Sequence, residues 1–321
     1  MKSKLFKRTI LGLLCVLVLI CFLMVIPRAW SALHPHDPPL GYHFVTPLYL
    51  AIDVGLETLI NKTPEIPADI KEIKNIEYKN VNGQSLQLDM YIPQKKSIKL
   101  APLLIFVHGG GWSGGKRSDY LVYLLSFAKK GYITATISYR LDADTPYPAA
   151  IEDVNDAVTW LSSHSETYGY DKNNIAIIGG SAGAHLALLA AYGWGGSVSH
   201  PIKAVVDLYG PTDLTTGYMR NHSLVTSFIG HPYEDSPELY KEASPITYLD
   251  SKDPPTLIFH GTSDELVPLS QSDVLKAYLH TLGVPVTYYR LPLWPHTMDV
   301  VKRVNDFTDQ KMEDFFATYL K

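Results

Sequence analysis

Two glycine-rich motifs in this chain bring together groups that could carry nucleophilic chemistry. Gly179-Gly180-Ser181-Ala182-Gly183 follows the apolar run NIAII and precedes AHLALLAAY, so Ser181 is expected on a sharp strand-to-helix turn. Such a turn leaves little room for neighbouring side chains, and the small residues on either side of the serine meet that steric demand. A serine so exposed can attack a carbonyl and carry the acyl group covalently, provided a base takes its proton. The competing reading, Ser181 as a plain helix cap, leaves the second motif to coincidence. That motif, His108-Gly109-Gly110-Gly111-Trp112, comes directly after the apolar run PLLIFV. Glycines there let backbone N–H groups approach a reacting oxygen with no Cβ in the way, as a hole for a developing oxyanion requires. A phosphate-binding loop would end in Gly-Lys-Ser/Thr, and Gly115-Lys116-Arg117 lacks both the hydroxyl and the spacing.

The elements that must hold these motifs can be read from periodicity. From Ile76, IEYKNV and LQLDMYI alternate around Asn82-Gly83, a hairpin signal. PLLIFVH, YITATISY, NIAIIGG, KAVVDLY, PTLIFHG and VTYYRLP are strand runs, several of them apolar enough to be buried on both faces. Between them, AAIEDVNDAVTWLSSH places Ile151, Val154, Ala157, Val158 and Leu161 on one helical face, and the segment from Asn305 to Leu320 closes the chain with another. Strand and helix alternate, which implies a central parallel sheet with flanking helices. About 45 residues separate KAVVDLYG from PTLIFHG, too many for a simple crossover, so a cap insertion is expected over 214–250.

The two motifs in this setting resemble the α/β-hydrolase fold, and within it the hormone-sensitive-lipase-like carboxylesterases that carry HGGG ahead of the serine turn. The resemblance covers residues 76–321 and implies an α/β class with a mostly parallel sheet. It implies the order serine, acid, histidine, each at the end of a strand. Ser181 follows NIAIIGG, Asp264 follows PTLIFHG in HGTSDELVP, and His296 follows VTYYRLP in LWPHTMD. The oxyanion hole implied is the backbone of Gly110, Gly111 and Ala182, with His108 structural. Asp213, in GPTD after KAVVDLY, is the rival acid; Asp299 lies too close to His296 in sequence to be chosen. His185 and His260 are expected to belong to the scaffold, and Trp112, Tyr139 and Tyr209 either line a substrate pocket or belong to the core. The HGGGW form, the Tyr147–Asp153 segment and the small cap resemble bacterial envelope esterases and polysaccharide deacetylases.

The implied activity is hydrolysis of a carboxylic ester with a short acyl group, on a small-molecule or saccharide substrate, with no metal or organic cofactor. An arylformamidase-like amidase and a non-catalytic surface-binding homologue are the alternatives; the second commonly lacks a triad member, and all three candidates are present here. Of 321 residues, 46% are hydrophobic and 19% charged, an ordinary globular composition, and a net charge of −4 leaves no basic surplus for nucleic acid. Both cysteines, Cys15 and Cys21, lie in the N-terminal apolar run, so redox and zinc-finger chemistry drop out of the rest. That run, Thr9 to Ile26, follows Lys2, Lys4, Lys7 and Arg8 and is succeeded by Pro27 and Arg28. Its length suits a signal-anchor or a signal peptide. Residues 1–30 are therefore expected to lead the chain to a membrane with the catalytic part outside, or to be cleaved with secretion, while residues 31–75 form a tether and N-terminal extension. Oligomeric state is not legible.

Overall fold

The apolar runs form one eight-stranded sheet in a computed structural model that describes residues 2–42, 45–94, 100–141, 145–196 and 202–320. Its strands are β1 (Ile70–Val81), β2 (Gln84–Pro93), β3 (Ala101–Val107), β4 (Ile133–Ile137), β5 (Tyr170–Gly180), β6 (Ile202–Leu208), β7 (Thr256–Gly261) and β8 (Val286–Leu291). They lie in the order β1-β2-β4-β3-β5-β6-β7-β8. β2 is antiparallel to both β1 and β4, and every other pair is parallel. The helices are α1 (Lys2–Leu33), α2 (Val45–Asp53), α3 (Leu121–Lys129), α4 (Ala149–Ser163), α5 (Ser165–Tyr168), α6 (Ala182–Ala191), α7 (Ser223–Ile229), α8 (Pro237–Glu242), α9 (Ser270–Leu282) and α10 (Lys302–Tyr319). This is the α/β-hydrolase arrangement that the two motifs imply.

Strand periodicity divides the core into two layers. Along β3, Leu103, Ile105 and Val107 join the layer under α4, α6 and α9, while Leu104 and Phe106 join the one under α3 and α10. Apolar side chains on both faces explain why these strands read as continuous hydrophobic runs. In parallel sheets of this kind, ligands bind beyond the carboxyl ends of the strands, and both glycine motifs sit there, after β3 and β5.

The structure departs from expectation in three places. β1 begins at Ile70, six residues before the alternation becomes visible, because the register shifts between Ile73 and Ile76 and Asn75 takes φ 58°. A bulge interrupts the period-two pattern by which a strand is recognised. α1 continues through Pro27 to Leu33; a proline removes only one helical hydrogen bond there, and Ser31 Oγ donates to the Pro27 carbonyl (3.0 Å). Finally, the proline-rich stretch expected as a tether is held against the C-terminal part of the domain. Trp294 Nε1 donates to the Pro39 carbonyl (2.8 Å), and Arg303 donates to Ser31 Oγ, the Leu40 carbonyl and Glu57 Oε1. Its composition reads as linker because its partners lie about 250 residues downstream. Between β6 and β7, α7, α8 and two short 3₁₀ turns occupy the expected cap interval.

Candidate active site

β5 runs out at Gly180 and α6 starts at Ala182, so Ser181 alone makes the turn, with φ 56° and ψ −124°. A non-glycine residue at positive φ is strained, and strain of this sort collects at functional sites. The crossing elements leave no space beside the serine: a Cβ at Gly179 would collide with the Gly183 carbonyl, and one at Gly183 with the Val107 carbonyl. A Cβ at Gly180 would collide with the Tyr120 hydroxyl, a constraint the bare motif does not reveal.

Ser181, His296 and Asp264 come together in a line. Ser181 Oγ lies 2.9 Å from His296 Nε2, and His296 Nδ1 lies 2.6 Å from Asp264 Oδ2. With Nδ1 donating to the carboxylate, Nε2 is the acceptor that faces the serine hydroxyl. His296 sits in the loop after β8, where Trp294 is fully buried and its carbonyl accepts from Ser263 N in the loop that carries Asp264 (3.0 Å). The two loops are thus tied to each other as well as to the sheet. Asp264 Oδ1 accepts from the N–H groups of Leu266 (2.9 Å) and Val267 (2.8 Å). Burial alone would raise its carboxyl, but hydrogen bonds from His260 and His296, the imidazole charge and the Val267 N–H hold it well below the usual carboxylate range. It stays ionised wherever the histidine needs a counter-charge.

The HGGG loop lies against the serine turn, with an ideal Gly109 Cβ only 3.5 Å from Ser181 Cβ. Gly110 and Gly111 have φ of 111° and 59°. Among the described residues, neither of their N–H groups donates to a protein acceptor. Ala182 is the first residue of α6, where an N–H has no partner within its own helix. These N–H groups belong to the HGGG loop and the first turn of α6, the two elements that meet at Ser181. His108 turns away: its Nδ1 meets the Gly109 carbonyl (2.9 Å), its ring stacks on Tyr139, and burial lowers its basicity.

The other candidates separate cleanly. Asp213 Oδ1 accepts from Thr215 N (2.9 Å) and Thr215 Oγ1 (2.6 Å), closing its own turn away from His296. His185 bridges Trp112 Nε1 (3.2 Å) and the Ala243 carbonyl (2.7 Å), and burial lowers it to about 4, so it is a neutral scaffold group. His260 is closer to the chemistry than its position inside β7 suggests. Its Nε2 lies 2.9 Å from the Val267 carbonyl and 3.3 Å from Asp264 Oδ2, and its Nδ1 lies 2.7 Å from Ser272 Oγ. Asp299 accepts a 2.5 Å hydrogen bond from Tyr209, whose ring lies edge-on to the His296 imidazole with centroids 4.7 Å apart. The Tyr209–Asp299 contact links residues 90 apart in sequence, and the His260–Asp264 contact, though only four residues apart, depends on how the loop after β7 folds back on the strand. Among the described residues, no group of histidine, cysteine, aspartate and glutamate has the spacing of a metal site.

Comparison with known proteins finds esterases among those to which this chain is similar. The chain is 36% identical to esterase LipQ of Mycobacterium tuberculosis (strain ATCC 25618 / H37Rv) over 233 residues, 68% of this chain and 55% of that protein. It is 31% identical to the probable carboxylic ester hydrolase LipM of the same organism over 235 residues, 68% of this chain and 54% of that protein. It thus spans about half the length of the curated relatives it matches. A truncated carbohydrate esterase from gut microbiota superposes with TM-score 0.66 at 25% identity, covering 77% of this chain and 95% of that one. The BD-FAE family model matches residues 88–279, more than half of the chain and the stretch from β2 through α9, and the chain belongs to that family.

Proposed function

We propose that this chain hydrolyses carboxylic esters of short acyl groups through an acyl-enzyme on Ser181. The observation that carries the reading is the hydrogen-bonded line from Ser181 through His296 to buried Asp264. His296 Nε2 takes the hydroxyl proton as Oγ attacks the carbonyl, and Asp264 orients the ring and stabilises its charged form. The carbonyl oxygen becomes an oxyanion among the N–H groups of Gly110, Gly111 and Ala182. His296 passes its proton to the departing alcohol, then activates a water that releases the acid. Esterase relatives support the reaction class. A short acyl group is supported by the cavity at Ser181, about 30 Å³ and closed by Met219, Leu224 and Val225 of the cap region.

The same reading puts the catalytic part outside a membrane, anchored by α1. Residues 8–33 form a helix long and apolar enough to cross a bilayer and almost wholly uncovered by protein. Four basic residues precede its apolar run and only Arg28 follows closely, a bias that keeps the basic end in the cytoplasm.

The test is Ser181→Ala against 4-nitrophenyl acetate, with labelling by an active-site phosphonate. Turnover is expected to fall by several decades, and the phosphonate to attach at Ser181 alone. Turnover near the parent level in that variant would end the proposal.

A further inference from the structure

As a membrane span, α1 sets how deep the rest of the chain must sit. Its apolar run, residues 9–26, gives about 27 Å of helix against a hydrocarbon core of roughly 30 Å. All of the run is needed to cross. Yet its outer end is covered by protein: Ile20 and Met24, one helical turn apart, pack into the layer that holds Leu48 and Ala51 of α2, and Pro27 is buried on the next turn. Met24 lies about 3 Å and Ile20 about 9 Å below the end of the run. A bilayer that stopped short of Ile20 would leave residues 9–19, about 16 Å of helix, to cross alone, roughly half of what is required. An element packed on Ile20 and Met24 therefore lies at the boundary of the membrane.

α2 has the surface for that place. Pro47, Leu48 and Ala51 are buried against the domain, while Thr46, Tyr49, Leu50 and Asp53 point away at the spacing of the opposite face. Tyr49 is 64% exposed and Val54, just past the helix, 61%. Leu50 and Leu59 are exposed beside them. Asp53, the last residue of α2, is the one charge on that face among the described residues, at the end where a carboxylate can stay among headgroups. Trp30 is exposed on α1 about 6 Å beyond Ile26. Tryptophan and tyrosine collect at that level of a bilayer, because their rings are apolar and their polar tips are wet. Helices lying in the plane of a membrane sink about 5–10 Å into the headgroup boundary, a depth that spans those of Met24 and Ile20.

We propose that the exposed face of α2, with Val54 and Leu59, docks into the boundary between lipid headgroups and acyl chains on the side of the membrane that holds the catalytic part. The inference rests on α1 as a membrane span and goes beyond it, since a span alone leaves the domain's orientation open. A few apolar side chains bind a bilayer weakly by themselves, as a single acyl chain does. α1 thus holds the protein on the membrane, and α2 sets its orientation. Leu59 pairs with Val301, and Ile60 N donates to the Val300 carbonyl (2.9 Å), so the docked surface is joined to the loop that follows His296.

The experiment places single nitroxide labels on the full chain in phosphatidylcholine nanodiscs. It compares their collisions with oxygen, which dissolves among acyl chains, and with a neutral nickel chelate, which stays in water. One label sits on Cys15 of α1, with Cys21→Ser removing the other thiol. The rest, with both native cysteines replaced by serine, sit at Tyr49→Cys, Val54→Cys and Tyr278→Cys. Tyr278 is exposed on α9, which packs on the opposite layer of the core, and serves as the reference for water. The ratio of oxygen to chelate collisions at positions 49 and 54 is expected to exceed that at 278 severalfold and to fall below that at Cys15. A ratio at 49 and 54 equal to that at 278, with Cys15 in lipid, would overturn the docking and leave the span intact. Few collisions with either reagent at 49 and 54 would mean that protein covers the patch, and would overturn the lipid contact too. A water-like ratio at Cys15 would remove the span, and the docking with it.

Discussion

Asp264 Oδ2 is shared by two imidazoles, and this arrangement sets the strength of the proposed acid. His260 Nε2 faces two acceptors, the Val267 carbonyl and Asp264, so it carries the proton, and Nδ1 accepts from Ser272. Donation from His260 draws carboxylate charge away from His296. Without it, that charge falls wholly on His296 and favours its protonated form, which is inactive as a base. His260→Leu should therefore move the acid limb of kcat/KM to higher pH, whereas His260→Gln, which keeps an N–H near the same point, should move it less. A pH profile for the leucine variant that overlays the parent's would contradict the role. The sequence carries Ser181, the HGGG loop and the order of acid and histidine plainly, because each is a local motif at the end of a strand. It does not carry the His260–Asp264 contact, which spans four residues but depends on how the loop after β7 folds back on the strand, or the Tyr209–Asp299 hydrogen bond, which joins separate elements.

At the scale of elements, β6 and the cap each add a testable consequence. Asp207, at the end of β6, is fully buried; Oδ1 accepts from Gly210 N (2.6 Å) and Oδ2 has no hydrogen-bond partner. Burial pushes its carboxyl up to about 7, against the opposing pull of the Gly210 N–H and His260. An unfolded aspartate titrates near 3.9. Between roughly pH 4 and pH 7 the native state thus keeps a proton that the unfolded state has released, and stability falls as pH rises through that window. Asp207→Asn mimics the protonated form, so its melting temperature should match the parent's near pH 4 and exceed it by several degrees at pH 8. Parallel melting curves across that range would refute the assignment. In the cap, Leu224 closes the acyl cavity by packing about 3.1 Å from an ideal Gly111 Cβ. Leu224→Ala should shift preference from acetyl toward hexanoyl esters, measured as the ratio of kcat/KM values. The cap was legible only as an interval too long for a crossover; its short helices lack the length over which a period can be read, just as the bulge at Asn75 hides the start of β1.

The whole molecule is organised around Arg303, which joins the N-terminal segment to the loop that carries the proposed base. Its guanidinium reaches Ser31, Leu40 and Glu57 and lies 4.7 Å from the Trp294 ring centroid, two residues before His296. Ser31, Leu40 and Glu57 are therefore part of the folded body, and an anchor in α1 would enter it at Ser31 without a slack linker. Removing residues 1–30 spares every one of those Arg303 partners, yet it strips Met24, which is buried in the layer shared with α2 and α10. Losing one such side chain costs about 1.5–3 kcal/mol. The truncated enzyme should therefore leave the membrane fraction and keep its ester turnover while melting a few degrees lower. Arg303→Met in the full chain should do more damage, because Glu57 is 2% exposed and would lose its close cation, a loss worth about 3–5 kcal/mol. If the membrane reading holds, intact cells expose the catalytic part to added protease, and the full chain sediments with membranes until detergent is added. A mature N-terminus near Ala32 would instead show cleavage and secretion, and resistance to protease in intact cells would refute export.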